Sequence, residues 1–449
     1  MSWLQRYRFR ESVRGSLWLP PLLSMLAAVP LAPLLHHLDE QTHWRLLHYG
    51  VDGARGIAGA ITASMFTLTV FVFSIILVAV QLSSAQLSPR AIASSVLRDR
   101  AARFTLVLFV FTFVLSVGVL GRIDRWVPEL SLFVVMVASV LSIGAFLYLI
   151  DYVAKALRPV SVCGRIAASG FEVIEKIYPS ALTAPSPVVG AAAELPDREP
   201  RRTVHHDRES GVLLAFDIVG LAAAARAANG LIVLVPQVGD FVATGDPVFR
   251  LFDGAGDIPD DVLRNSVAFG PERTLAQDPA FALRILGDVA NKALSPGIND
   301  PTTAVQAIDH IHRLLRRVGA KRLDNGQISD EGGQLRLWFR TPDWEDYVGL
   351  GISEIRIYGA GSLQVARRLR ALLHNLIESL PPIRHPPLLE ELELLRRSVE
   401  RTFEDPEDRA FAAEADRQGL GSAAAVNASN DDLHAPVDPI AMVESGRRI

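Results

Sequence analysis

Ser64, Thr67, Ser74 and Gln81 are spaced by three, seven and seven inside a stretch, Gly56 to Pro89, that holds no charged side chain. On a helix they project from one face, with Phe71 and Val78 filling the heptad gaps. Hydroxyl and amide groups offer hydrogen bonding rather than proton transfer. A bilayer supplies no partners for them, so the stripe should meet a neighbouring helix or a water-filled space and not lipid. Helix packing, with hydroxyls bonded back to their own helix, and pore lining both fit this spacing. Gln81 carries the most weight, because a buried amide in lipid needs a partner, although it sits near the end of the run where water could reach it.

Three further groups carry polar chemistry. Glu272, Arg273 and Asp278 stand close in the chain and could converge with Asn299 and Asp300 into one polar cluster. The run Ser295, Pro296, Gly297, Ile298, Asn299, Asp300, Pro301 is built from residue types suited to tight geometry. Its Asp300-Pro301, like Asp278-Pro279, puts a capping acid before a proline at a first helical position. Asn299 and Asp300 could bind a ligand or cation, but a cap already accounts for them. His310 and His312 cannot share a helix face at a spacing of two, so they are not a metal pair. With Arg313, Arg316 and Arg317 they make a basic helix surface. Histidines 36, 37, 43 and 48 cluster in or near one loop, where exposure is the ordinary state.

No GxSxG, HExxH or phosphate-loop pattern occurs, so no catalytic residue is assigned and no cofactor or metal is expected. The single cysteine, Cys163, excludes a disulfide scaffold and argues against a thiolate zinc site. Net charge is −4, and no basic, aromatic-interleaved patch points to nucleic acid.

Four segments are long and apolar enough to cross a bilayer: Gly15 to Leu38, Gly56 to Leu82, Phe104 to Gly121 and Leu130 to Ile150. The first holds four prolines and should kink; the second overshoots the hydrocarbon core and must tilt or extend beyond it. Gly118 and Gly121 suggest close packing. Lys and Arg concentrate in the N-terminal tail (Arg6, Arg8, Arg10, Arg14), in the second loop (Arg90, Arg98, Arg100, Arg103) and after the fourth span (Lys155, Arg158, Arg165). That bias puts both termini in the cytoplasm of a multi-pass plasma (inner) membrane protein. The central spans carry no acid or base, which disfavours an ion-coupled pump and leaves passive conduction of a small ion or solute.

Residues 1–155 therefore read as a four-helix transmembrane domain, and 156–209 as a helical exit and linker. Residues 210–255 read as a small β module, with short apolar runs at Val212 to Phe216 and Leu231 to Val235. Its Gly239-Asp240-Phe241-Val242 and Gly245-Asp246-Pro247 resemble the hairpin of barrel-sandwich hybrid domains. No lysine lies between Lys176 and Lys292, which removes the lipoyl- or biotin-carrier role and leaves a structural barrel-like fold. Residues 256–405 read as a helical domain with one or more strands, with helices over Pro279 to Leu294 and Pro301 to Val318 and a strand over Leu335 to Phe339. Residues 406–449 read as a terminal helix and a disordered tail. The fold class is thus a membrane α-helical domain joined to a cytoplasmic α+β domain.

Three strings identify a resemblance: Ser74 to Arg90, Glu272 to Pro279, and Ala293 to Ala304. Together they resemble the DUF2254 family of predicted bacterial integral membrane proteins, over most of the chain to about residue 380. The resemblance implies a bacterial membrane protein and supplies no catalytic residues. The sequence favours an oligomeric passive channel or transporter-like protein with a cytoplasmic regulatory domain, and a homo-oligomer that satisfies the stripe. The alternative is a membrane-anchored sensor or scaffold whose soluble part binds a ligand or protein.

Overall fold

The computed structural model describes residues 2–16, 18–42, 48–86, 100–182, 198–323 and 326–419. His43, Arg90, Arg98, the Leu87 to Arg90 end of the first family string and the tail beyond Gly419 lie outside them.

A short amphipathic helix, α1 (Trp3–Gly15), precedes four long apolar helices: α2 (Leu19–Thr42), α3 (Val51–Gln86), α4 (Arg100–Leu120) and α5 (Glu129–Ala156). Pro30 and Pro33 lie inside α2 without ending it. The α2–α4 contact is close because both sides are small: a methyl added at Gly118 would stand 2.6 Å from the Ala32 Cβ. Hydroxyls pair between spans, Thr62 with Ser116 at 2.6 Å and Thr112 with Ser142 at 3.2 Å. Each also lies within hydrogen-bonding distance of a backbone carbonyl, so in each pair one hydroxyl can donate to its partner and the other to a carbonyl, and none is left bare in an apolar interior.

Two carboxylate residues, Asp39 and Glu129, are buried among these helices. Asp39, near the end of α2, accepts from the N–H groups of Leu130 (2.8 Å) and Ser131 (3.0 Å) and from the Ser131 hydroxyl (2.5 Å). It supplies from another helix the cap that Pro128, at the start of α5, cannot give.

At 36 residues α3 is about 54 Å long, well beyond a hydrocarbon core of about 30 Å. Its Val80 packs against the apolar core of the soluble region. That core starts with α6 (Pro159–Ile177), which follows α5 after two residues. Val162, Cys163, Ile166 and Ile174 of α6 are buried in it, so the exit helix is a structural member of the soluble region.

The sheet region holds β1 (Arg202–His205), β2 (Gly211–Phe216), α7 (Ile218–Ala227), β3 (Gly230–Leu234), β4 (Phe241–Val242), β5 (Pro247–Asp253), α8 (Asp260–Arg264) and β6 (Val267–Gly270). Helices α9 (Pro279–Ala293) and α10 (Pro301–Gly319) follow, then β7 (Gln327–Ser329) and β8 (Leu335–Phe339). The eight strands make two open sheets, ordered β1-β5-β3-β8-β7 and β4-β2-β6, around one shared core. They do not close into a barrel. The barrel-like reading of 210–255 misses that β1 comes from the stretch read as linker and pairs with β5, while β8 adds parallel to β3. The Gly-Asp turns do form: Gly239 and Gly245 have φ of +96° and +94°, and Asp240 and Asp246 each accept a backbone N–H three residues earlier.

The chain ends in α11 (Trp344–Val348), a π segment (Gly349–Ser353), α12 (Glu354–Gly359), α13 (Leu363–Ser379), α14 (His385–Thr402) and α15 (Pro406–Ala412). These pack with α6, α9 and α10 around the helical core. Helix α1 rests on the sheet region, where the Leu4 N–H donates to the Asn265 carbonyl at 3.2 Å.

Asp39→Ala leaves two N–H groups without their cap and should cost about 2 kcal/mol. The expected result is a lower thermal-unfolding midpoint in detergent; an unchanged midpoint would remove Asp39 as the organiser of the α2–α5 junction.

Candidate functional site

The two faces of α3 differ in burial. Ala58, Met65, Val72 and Ala79, seven residues apart throughout, are buried against the other spans. Ser64, Thr67, Phe71, Ser74, Val78 and Gln81 are exposed on the opposite face, which continues towards the start of the helix as Gly53, Gly56, Ala60 and Ala63. A methyl added at Gly53 or Gly56 would meet nothing within 4 Å. The polar stripe thus lies along the outside of the four-helix unit, bordered by small residues, rather than between spans of one chain. The hydroxyls that do lie between spans are Thr62, Thr112, Ser116 and Ser142. Heptad spacing along α3 does not mark them, because Thr62 lies off the outward face and the other three stand on α4 and α5.

The stripe residues differ in how far the helix satisfies them. Thr67 donates to the Ala63 carbonyl at 2.9 Å and Ser74 to the Val70 carbonyl at 3.1 Å. Their lone pairs still point outward. Gln81 sits one residue after Val80, at the level where α3 reaches the soluble core.

The proposed polar cluster resolves into separate sites. Asp278 is buried, bonds the Arg273 guanidinium, and caps α9 by accepting from Phe281 N at 3.1 Å. Burial pushes its carboxyl above the ordinary range, against the opposing pull of Arg273 and the helix N–H groups. Arg273 also lies over the Phe281 ring and beneath Gly239, where a side chain would strike it. Gln277 bonds both the N–H and the carbonyl of Phe216 at 3.0 Å, extending the sheet as a strand would. Glu272 is exposed. The Glu272 to Pro279 string is therefore a clamp between the sheet and helical cores.

Asn299 and Asp300 sit at the other end of α9, 15 residues or about 22 Å away. Asp300 accepts from Thr303 N (3.1 Å) and Thr303 Oγ1 (2.6 Å). Asn299 adopts φ +48°, and Asp300 N donates to Ala293 O, closing a tight hairpin. Ser295 bonds the Lys292 carbonyl, while Pro296, Gly297 and Ile298 are exposed at the tip and Pro301 opens α10.

Contacts along α6 locate that tip. Gly164 faces His310, Gly170 faces Ala282 and Leu314, and Glu175 pairs with Arg317 and Lys321. Helices α6 and α10 therefore run parallel, and the turn lies at the end of the bundle that meets the spans. The basic residues of α10 are largely engaged with neighbours: Arg313 stacks on Phe171 and His312 bonds Asn375 at 2.8 Å. Deeper in the core, Tyr178 and Tyr347 share a 3.1 Å hydrogen bond, and burial pushes the Tyr178 phenol up to about 12. Burial likewise pushes the Cys163 thiol up to about 12, which leaves it unreactive. Among the described residues no group of His, Cys, Asp and Glu could hold a metal ion.

Arg273→Ala would strand a buried carboxylate. Because Arg273 is a third exposed, the loss should be about 2–3 kcal/mol rather than the larger value of a fully buried pair. Urea unfolding followed by tryptophan fluorescence should show it, with Glu272→Ala within about 0.5 kcal/mol of the unmodified chain. Equal effects of the two would discount the clamp.

The family described as predicted membrane protein (DUF2254) matches residues 14–375. Two uncharacterized proteins, from Mycobacterium bovis and Mycobacterium tuberculosis, are each 27% identical over 425 residues, covering 91% of this chain and 80% of each relative. No solved structure matches the chain.

Proposed function

The chain belongs to the DUF2254 family of predicted membrane proteins, and from that premise we propose that it is one subunit of a homo-oligomer conducting a small ion or solute passively. The α3 helices of neighbouring copies would meet along the stripe. The observation that carries this reading is the two-sidedness of α3, with one heptad face buried in its own bundle and the other polar, small and turned outward. Small residues at Gly53, Gly56 and Ala60 let backbones approach, and Ser64, Thr67, Ser74 and Gln81 then offer oxygen atoms to a shared axis. Without titratable groups in the middle of the spans, movement follows the gradient.

Counting Lys and Arg at the helix ends puts the soluble region in the cytoplasm of the bacterial inner membrane. Gln81 then stands at the cytoplasmic mouth, with the Ser295 to Pro301 turn at the same end of the soluble bundle. A regulatory role for that bundle follows from the contact of Val80 with its core. The alternative, a membrane-anchored sensor or scaffold, needs no conduction and leaves the stripe as adhesive alone.

Two measurements separate these readings. With Cys163 buried and unreactive, cysteines introduced at Ser64 or Ser74 should cross-link between copies in the membrane, and one at buried Val72 should not. Monomers alone at every position would exclude the oligomer. In planar bilayers the reconstituted protein should pass current or solute, with Ser74→Leu and Gln81→Leu each cutting it severalfold. Silence of the folded protein under voltage, tension and osmotic gradients, with cross-linking intact, would favour the scaffold.

A further inference from the structure

Away from the spans, cationic side chains gather where α13, α14 and the segment after α15 meet. Arg370 and His374 are four residues apart on α13 and share a face. The segment ending at Gly419 is pinned along the same helix. Asp416 N donates to the Arg367 carbonyl at 3.2 Å, and Gln364 Nε2 donates to the Gly419 carbonyl at 2.8 Å. The Asp416 carboxylate accepts from Gln418 N and Gly419 N at 2.9 Å each, fixing the turn that carries Arg417. Buried Arg367 anchors this strap from below, its guanidinium 3.9 Å from the centre of the Phe411 ring.

Most arginines around this place have an acidic partner: Arg368 with Asp309, Arg356 with Glu391, Arg396 with Glu393 and Glu400. Arg370 and Arg417 form no ion pair among the described residues. The Arg370 Nε is buried and has no hydrogen-bond partner. A buried guanidinium N–H without an acceptor is costly, so the chain leaves the Arg370 guanidinium incompletely satisfied. The charges are close enough to feel one another. Burial, and then the Arg396 charge, hold Arg370 below its usual value. Burial, Arg370 and Arg417 together hold the His374 imidazole below its own, with Glu378 opposing them. His374 and Arg417 are exposed and Arg370 is partly buried, so the three cationic groups reach the surface together.

We propose that Arg370, His374 and Arg417 form a binding site for a soluble phosphate-bearing anion. Arg370 would hold phosphate oxygens through its two Nη groups, with Arg417 and the His374 ring donating from the rim. A lipid headgroup fits the position less well. Helix α13 runs parallel to α10, with Arg368 on Asp309 and Asn375 on His312. His312 lies twelve residues past Asp300, about 18 Å along the axis from the end of the bundle that meets the spans.

Isothermal titration of inorganic pyrophosphate into the full-length protein in detergent, at constant ionic strength, tests this. Saturable binding is expected, weakened at least about tenfold in Arg370→Gln and Arg417→Gln. Arg370→Lys, which keeps the charge and loses the two Nη groups, should fall between. Arg250→Gln, an exposed arginine on β5, should bind like the unmodified protein. Unmodified binding by Arg370→Gln that unfolds at the normal temperature overturns the site, as does an equal loss in Arg250→Gln or the absence of saturable binding. Transfer to nanodiscs of neutral and then anionic lipid should leave the affinity unchanged; competition by anionic lipid would assign the site to headgroups and overturn the soluble ligand.

Discussion

A bilayer offers no hydrogen-bond partners, and the arrangement of the spans follows from how each polar group meets that constraint. Backbone groups are satisfied within the helices. Thr62, Thr112, Ser116 and Ser142 find one another between spans, and Asp39 is spent on the start of α5. On the outer face of α3 the same demand is only half met. Thr67 and Ser74 bond back to their own helix, but their remaining lone pairs and the whole Gln81 amide face outward. That unfinished face is the physical basis for the functional reading.

The soluble region is tied to the spans at several places. Helix α6 leaves the membrane and at once becomes part of the helical core, α3 reaches the same core through Val80, and α1 rests on the sheet. The two soluble cores are clamped together by Arg273, Gln277 and Asp278, which bind across from the start of α9 to β2 and the Gly239 turn. A displacement of the helical bundle would therefore be felt at the end of α3. This mechanical continuity gives the C-terminal region a route to act on the membrane helices.

Much of the architecture was legible in the chain. The four spans stand out because twenty or so apolar residues in a row have one stable environment. The helices at Pro279 and Pro301 were legible because an acid before proline satisfies first-turn N–H groups by purely local means. The same locality marks the Gly239 and Gly245 turns. Strands β1, β6 and β7 were not legible. They are three or four residues long, and their pairing partners lie up to dozens of residues away.

For the candidate sites the division is sharper. Sequence alone determined that α3 carries a hydroxyl and amide stripe at heptad spacing, because helical periodicity projects fixed spacings onto one face. Only the tertiary structure decided that this face is the outer one, since which stripe the other spans cover depends on how Ala58, Met65, Val72 and Ala79 pack. It likewise decided that Asp278 and Asp300 stand at opposite ends of one helix, and that Arg417 comes to rest beside Arg370 and His374. Proximity between residues far apart in the chain is set by packing, and no local spacing encodes it.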